Sequence, residues 1–181
     1  MVRDLALLQA SMAAVVPVGS VPNSGADMAC RPQMQLREVD ALIATRTQLL
    51  SMKPNFKQHW LGLAVAFHMG GQLDSAIATV DAYLSTVDSP VPSEVYEHSE
   101  LLMYKLQLLE EAGRLDQCLD ALQRHGPEIK DRSGALQTRA RVLAKLGRGA
   151  EAEAVLDDLL ALNPDDRSLH TSLWAAMGIP T

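Results

Sequence analysis

WLGLAVAFHMGGQLDSA, residues 60–76, reads as an apolar helix, a glycine turn and the start of a second helix. Trp60, Leu63, Ala64 and Phe67 fall at i, i+3, i+4 and i+7, one stripe of a 3.6-residue period. Gly70-Gly71 ends the stripe where a residue of positive φ costs least. Leu73 opens a new run through Ala76, Ile77, Val80, Tyr83 and Leu84. Two helices joined by so short a turn must approach closely, and the small Ala76 allows it. The unit is a helical hairpin.

The composition agrees with helices. Apolar residues make up 48% of 181 positions and aromatics only 4%, with Ala and Leu dominant. The net charge of −6 argues against a nucleic-acid site, which needs clustered Lys and Arg, and against docking on an anionic membrane. No stretch reaches the roughly 18 apolar residues of a spanning helix. The opening MVRDLALLQA is broken by Gln9 and makes a poor signal peptide. Two cysteines, Cys30 and Cys118, imply no disulfide framework, so the expected location is the cytosol.

Taken in order, residues 3–10 have helical periodicity, and residues 11–32 lose it, with three prolines and two glycines among them. The expectation is an irregular, disordered insertion at 11–32 that interrupts one helical hairpin formed by 1–10 and 33–55. The opening hairpin covers 56–86. Past Pro90 and Pro92, Ser93 is the expected N-cap of a helix to about Ala112, carrying Tyr96, Leu101, Leu102, Leu106 and Leu109. Gly113 turns it into a partner with Leu115, Cys118, Leu119 and Leu122, ending near Gly126-Pro127. A further pair is expected at about 129–146 and 150–162. Asn163-Pro164 then caps a helix through Leu169, Leu173 and Trp174, so that 165–181 reads as an unpaired first helix of a next repeat.

Three turns align: Gly71-Gln72-Leu73-Asp74-Ser75-Ala76, Gly113-Arg114-Leu115-Asp116-Gln117-Cys118 and Gly147-Arg148-Gly149-Ala150-Glu151-Ala152. Their glycines are 42 and 34 residues apart, and the proline loop near Pro90 absorbs the longer spacing. A 34-residue helix–turn–helix is the tetratricopeptide period. Repeats counted from the glycines start at 57, 99 and 133. The pattern falls on Trp60, Leu63, Ala64, Phe67, Gly71, Ala76 and Tyr83; then on Leu102, Leu106, Leu109, Gly113 and Leu122, with Cys118 in the small-residue place. In the third repeat it falls on Leu136, Ala140, Leu143, Gly147, Ala152, Leu156 and Pro164. The expected fold is all-α, a tetratricopeptide-like solenoid forming a segment of right-handed superhelix, with the three hairpins at 56–164.

No catalytic, cofactor-binding or metal-ligating set emerges. Glu94 and His98, four apart, are two ligands at most and read as a solvated pair. Leu146-Gly147-Arg148-Gly149 approaches the pyrophosphate loop of GNAT acetyltransferases, but Ala144 stands where Gln or Arg is needed and the segment joins two helices. What remains is a groove. By repeat position its lining is Gln58, Leu61, Val65 and His68; Glu100, Met103, Gln107 and Glu110; and Gln137, Arg141 and Ala144, suited to a peptide or protein partner.

Beyond the repeat, RDLALLQA, QMQLRE, TRTQLLSMKP, HWLGLAVAFHM, SELLMYKLQLLEEAG and LLALNPDD resemble the auxiliary subunit of the eukaryotic N-terminal acetyltransferase A complex, over about 3–10 and 33–177. The resemblance implies a non-catalytic scaffold that wraps a separate catalytic GNAT subunit. It further implies support for co-translational acetylation of nascent N-termini at the ribosome through the full-length complex. The alternative is a generic tetratricopeptide adaptor binding a peptide or partner helix. That role needs a basic clamp for a carboxylate, and Arg141 is the one permanently cationic residue among the groove candidates.

Overall fold

The computed structural model describes residues 38–87 and 92–176, and no strand occurs among them. The expectations for 1–10 and 11–32 lie outside these residues. The chain divides into two compact units at Ser89/Pro90.

The first unit holds α1 (Val39–Met52), α2 (Lys57–Met69) and α3 (Leu73–Ser85). Helix α1 packs on α2, and α2 packs on α3. Leu42, Leu49 and Ala66 form the α1–α2 core, with Ile43 against it. In the α2–α3 hairpin Leu63, Ala64, Ile77 and Val80 are buried, and Ala76 is wholly covered. Each fully buried Leu or Ile contributes about 1.5–3 kcal/mol relative to exposure. Trp60 closes the far end: its indole N–H donates to the Pro54 carbonyl at 2.7 Å, and its ring tilts against Tyr83 with centroids 6.3 Å apart.

The second unit opens with a 3₁₀ turn, Pro92–Glu94. It continues through α4 (Val95–Glu111), α5 (Leu115–His125), α6 (Arg132–Lys145), α7 (Gly149–Leu162) and α8 (Arg167–Ala176). Consecutive helices pack on one another, and α4 also meets α6. Ala140, Leu143, Ala152, Val155, Leu156, Leu159 and Leu169 make one core across α6, α7 and α8.

Helix starts differ from expectation in three places. Ser93 lies inside the 3₁₀ turn and does not cap α4; Glu94 holds the N-cap position, and its side chain makes no capping hydrogen bond. Helix α6 begins at Arg132, because Asp131 Oδ1 accepts the Gly134 N–H at 2.8 Å; Ile129 is buried in the preceding loop. Helix α8 is capped by Asp166, whose Oδ1 accepts from the Ser168 N–H at 2.8 Å, and not by Asn163. Two stripe assignments also change. Tyr96 is 75% exposed, whereas Leu108 is fully buried. Leu108 lies seven residues after Leu101 and shares its face. Because α4 packs on both α5 and α6, its buried arc is wider than one stripe.

The three glycine turns are the same object. Gly71, Gly113 and Gly147 have φ of 70°, 71° and 74°. Gln72 N–H reaches back to Phe67 C=O at 2.9 Å, Arg114 to Leu109 at 2.9 Å, and Arg148 to Leu143 at 3.0 Å. The glycine N–H groups bond to His68, Glu110 and Ala144. This is the Schellman pair, which satisfies the last carbonyls of one helix while reversing the chain into the next. Ala76, Cys118 and Ala152, five residues after each glycine, are each wholly buried. The small-residue position therefore does the same packing job in all three turns.

Candidate functional site

In the second unit the groove candidates lie on α4 and α6. Glu100 and Gln107 are exposed, Met103 and Gln137 half-buried, and Arg141 and Ala144 exposed. Two of them meet. Arg141 forks onto the Glu110 carboxylate, Nε to Oε1 at 2.7 Å and Nη2 to Oε2 at 2.8 Å. Lys145 Nζ adds a third bond to Oε1 at 2.8 Å. The Glu110 side chain is only 8% exposed, while Arg141 and Lys145 are about half exposed. The Arg141 hydrogen bonds hold the Glu110 carboxyl below its ordinary range; burial opposes the shift, and Lys145 reinforces it. The same contact raises the Arg141 pKa. The one permanent cation of the candidate groove is thus already engaged bidentately, which weakens the carboxylate-clamp reading.

Lys145 was not among the sequence candidates. Its signal was the four-residue step from Gln137 through Arg141. In the first unit Gln58 and Val65 are exposed on α2, with Leu61 and His68 half-buried. Met69, 44% exposed, extends the Leu61–Val65 step by another four residues, so α2 carries an apolar stripe the sequence reading cut short.

Glu128 forms a second cluster that the sequence did not reveal. His98 Nε2 lies 3.0 Å from its Oε2, and His125 Nδ1 3.1 Å from its Oε1. Burial pushes the Glu128 carboxyl up, but hydrogen bonds from His125 and His98 outweigh it and hold the pKa below its ordinary value. Beside it the Lys130 N–H donates to the buried Ser99 hydroxyl at 2.8 Å, so the loop before α6 is fastened to α4 twice. His98 thus hydrogen-bonds across to Glu128, the pairing a four-residue spacing from Glu94 does not suggest. Among the described residues no group of three His, Cys, Asp or Glu side chains is arranged to hold a metal. Arg148, in the segment resembling a pyrophosphate loop, forks onto Glu151 at 2.6 and 2.7 Å, and Gly147 makes the Schellman turn. Cys118 is fully buried, its Sγ 3.6 Å from the Leu106 carbonyl, and burial pushes its thiol up to about 11.

Family comparison covers most of the chain. Residues 96–181 match the model of the N-terminal acetyltransferase A auxiliary subunit, and residues 37–90 match a tetratricopeptide repeat model. An Arabidopsis thaliana relative, the N-terminal acetyltransferase A complex auxiliary subunit NAA15, is 36% identical over 149 residues, 81% of this chain. Residues 96–181 belong to the auxiliary-subunit family of N-terminal acetyltransferase A. The Homo sapiens relative N-alpha-acetyltransferase 16, NatA auxiliary subunit, is 30% identical across 82% of the chain. A solved structure of Naa15/Naa10 bound to HypK-THB superposes with a TM-score of 0.74 at 31% identity, covering 82% of this chain and 22% of that one. A tetratricopeptide repeat protein from Parabacteroides merdae, 16% identical with a TM-score of 0.66, covers 86% of this chain and 60% of its own, and shares the fold alone. The chain spans 17% of the length of these two NatA relatives. No helix among the described residues is long and apolar enough to cross a membrane.

Proposed function

We propose that this chain is a non-catalytic scaffold segment of the N-terminal acetyltransferase A complex. It binds the catalytic GNAT subunit and, within the full-length complex, supports co-translational N-α-acetylation at the ribosome in the cytosol. The observation that carries this reading is the match over four-fifths of the chain to the auxiliary subunit in the Naa15/Naa10 structure. Catalysis belongs to the partner, and this chain supplies surface.

The partner-facing residues are those at the groove positions of the first helix in each hairpin, exposed or half-buried except for the covered Glu110 carboxylate. On α2 these are Gln58, Leu61, Val65 and His68; on α4, Glu100, Met103, Gln107 and Glu110; on α6, Gln137 and Arg141. Leu61 and Val65 supply apolar area, while Glu110 fixes the Arg141 head so that little side-chain freedom is lost on binding. The test is co-purification of the full-length product with a GNAT subunit, scored by transfer of acetyl from acetyl-CoA to a peptide α-amine. Retrieval of partners that include no acetyltransferase would count decisively against the scaffold role. Acetyl-CoA binding by the isolated chain, read by calorimetry, would overturn its non-catalytic assignment.

A further inference from the structure

Helix α6 has two working faces. Gln137, Arg141 and Lys145 lie on one; Arg132, Leu136, Arg139 and Leu143 lie roughly opposite, at 100° per residue. That second face floors an open cleft of about 540 Å³, walled by α5 and by the start of α7. The volume is within the range of about 300–1,000 Å³ usual for ligand clefts.

Its floor is apolar. Leu143 is buried and Leu136 half-buried there, and Leu119 on the α5 wall is half-buried and also lines the cleft. Its α6 edge is basic. Arg132 and Arg139 are exposed, and neither hydrogen-bonds to a carboxylate among the described residues. At the α7 end Arg148 is neutralised by Glu151, which also feels Arg139. In a chain of net charge −6, two cations without a hydrogen-bonded counter-ion beside leucines are a local departure.

From this geometry we infer that the α5–α6–α7 cleft docks an acidic amphipathic helix of a partner protein. Arg132 and Arg139 are seven residues apart, about 10.5 Å along the helix axis. Carboxylates at i and i+7 of a docked helix have the same spacing, and a leucine at i+3 or i+4 then points at the floor between them. Asp120 on the α5 wall repels a carboxylate, so the acidic edge of the guest lies over α6. This surface is separate from the Arg141 face and does not rest on the scaffold reading.

The probe is a fluorescein-labelled synthetic helix with Glu at i and i+7 and Leu at i+3 and i+4, titrated with the full chain by anisotropy. Binding is expected to weaken with salt and to fall about tenfold in R132E/R139E, which loses two ion pairs and gains two repulsions. The neutral R132Q/R139Q variant must lose binding as well, and R124E, at an exposed position of α5 outside the cleft, must not. A version of the peptide with Lys replacing both Glu residues should bind R132E/R139E better than it binds the native chain. Absence of binding by the acidic helix, equal binding by the Lys version, or an equal loss in R124E would each overturn the inference. Tighter binding of a uridine oligomer, lost in the same arginine variants, would overturn it in favour of a nucleic acid.

Discussion

Glu110→Gln removes one charge from the α4–α6 contact while keeping the shape of the side chain. Three charged hydrogen bonds converge on this carboxylate, two from Arg141 and one from Lys145. Hydrogen bonds to charged groups contribute about 1.5–3 kcal/mol when covered, and exposed ion pairs about 0.2–1 kcal/mol. The acceptor is covered but both cations are half exposed, so the lower figures apply. When the carboxylate is lost the cations rehydrate, which avoids the larger cost of a stranded buried charge. The expected loss at pH 7 is about 1–2 kcal/mol, or about 3–6 °C in Tm for a chain of this size.

Urea unfolding followed by circular dichroism at pH 7 and pH 3 checks both the size and the cause. The folded pKa of Glu110 is depressed. Its contribution is therefore fully present above the unfolded glutamate value of about 4.3 and is lost as pH falls through the lower folded value. The gap between native chain and E110Q should hold from pH 7 down to about pH 5.5 and shrink at pH 3. A gap of the same size at both pH values would refute the electrostatic account and leave packing as the cause.

Other perturbations have distinct expected sizes. Gly113→Ala and Gly147→Ala should each cost about 1 kcal/mol in urea unfolding: left-handed strain of about 1–2 kcal/mol, partly offset by reduced unfolded-state entropy. No atom lies within 4 Å of the added Cβ at either site, so a larger loss would contradict a purely conformational cause. Leu108→Ala should destabilise by about 2–5 kcal/mol and Tyr96→Ala by no more than about 0.5 kcal/mol, the reverse of what a single-stripe reading of α4 implies. In a Cys30→Ser background, Cys118 should resist maleimide at pH 8 until urea is added, because its thiol is covered and burial pushes its pKa up to about 11. Rapid native-state labelling would show that α5 opens.

The hairpins were legible because their determinants are local. A glycine at positive φ, a small residue five positions later and a 3.6-residue apolar stripe all act within a few turns of chain. The helix starts at Asp131 and Asp166 were also encoded locally, by a side-chain acceptor two or three residues before the N–H it caps, but neighbouring Ile129 and Asn163 gave competing signals. Assignments failed where burial is not one-sided. Leu108 and Tyr96 both sit on an apolar-rich helix, and only the packing of α4 against two neighbours decides which is covered.

The candidate groove divides the same way. The sequence alone could place Glu110 and Arg141 on first helices of successive hairpins, because repeat position determines face. It could not pair them, since they are 31 residues apart and their contact depends on how α4 and α6 cross. The Glu128 clamp by His98 and His125, and the cleft between α5 and α7, arise only in the folded unit. Local backbone chemistry wrote the repeat into the chain. Helix-on-helix geometry, which no period in the sequence encodes, decided which charges meet and which faces stay open.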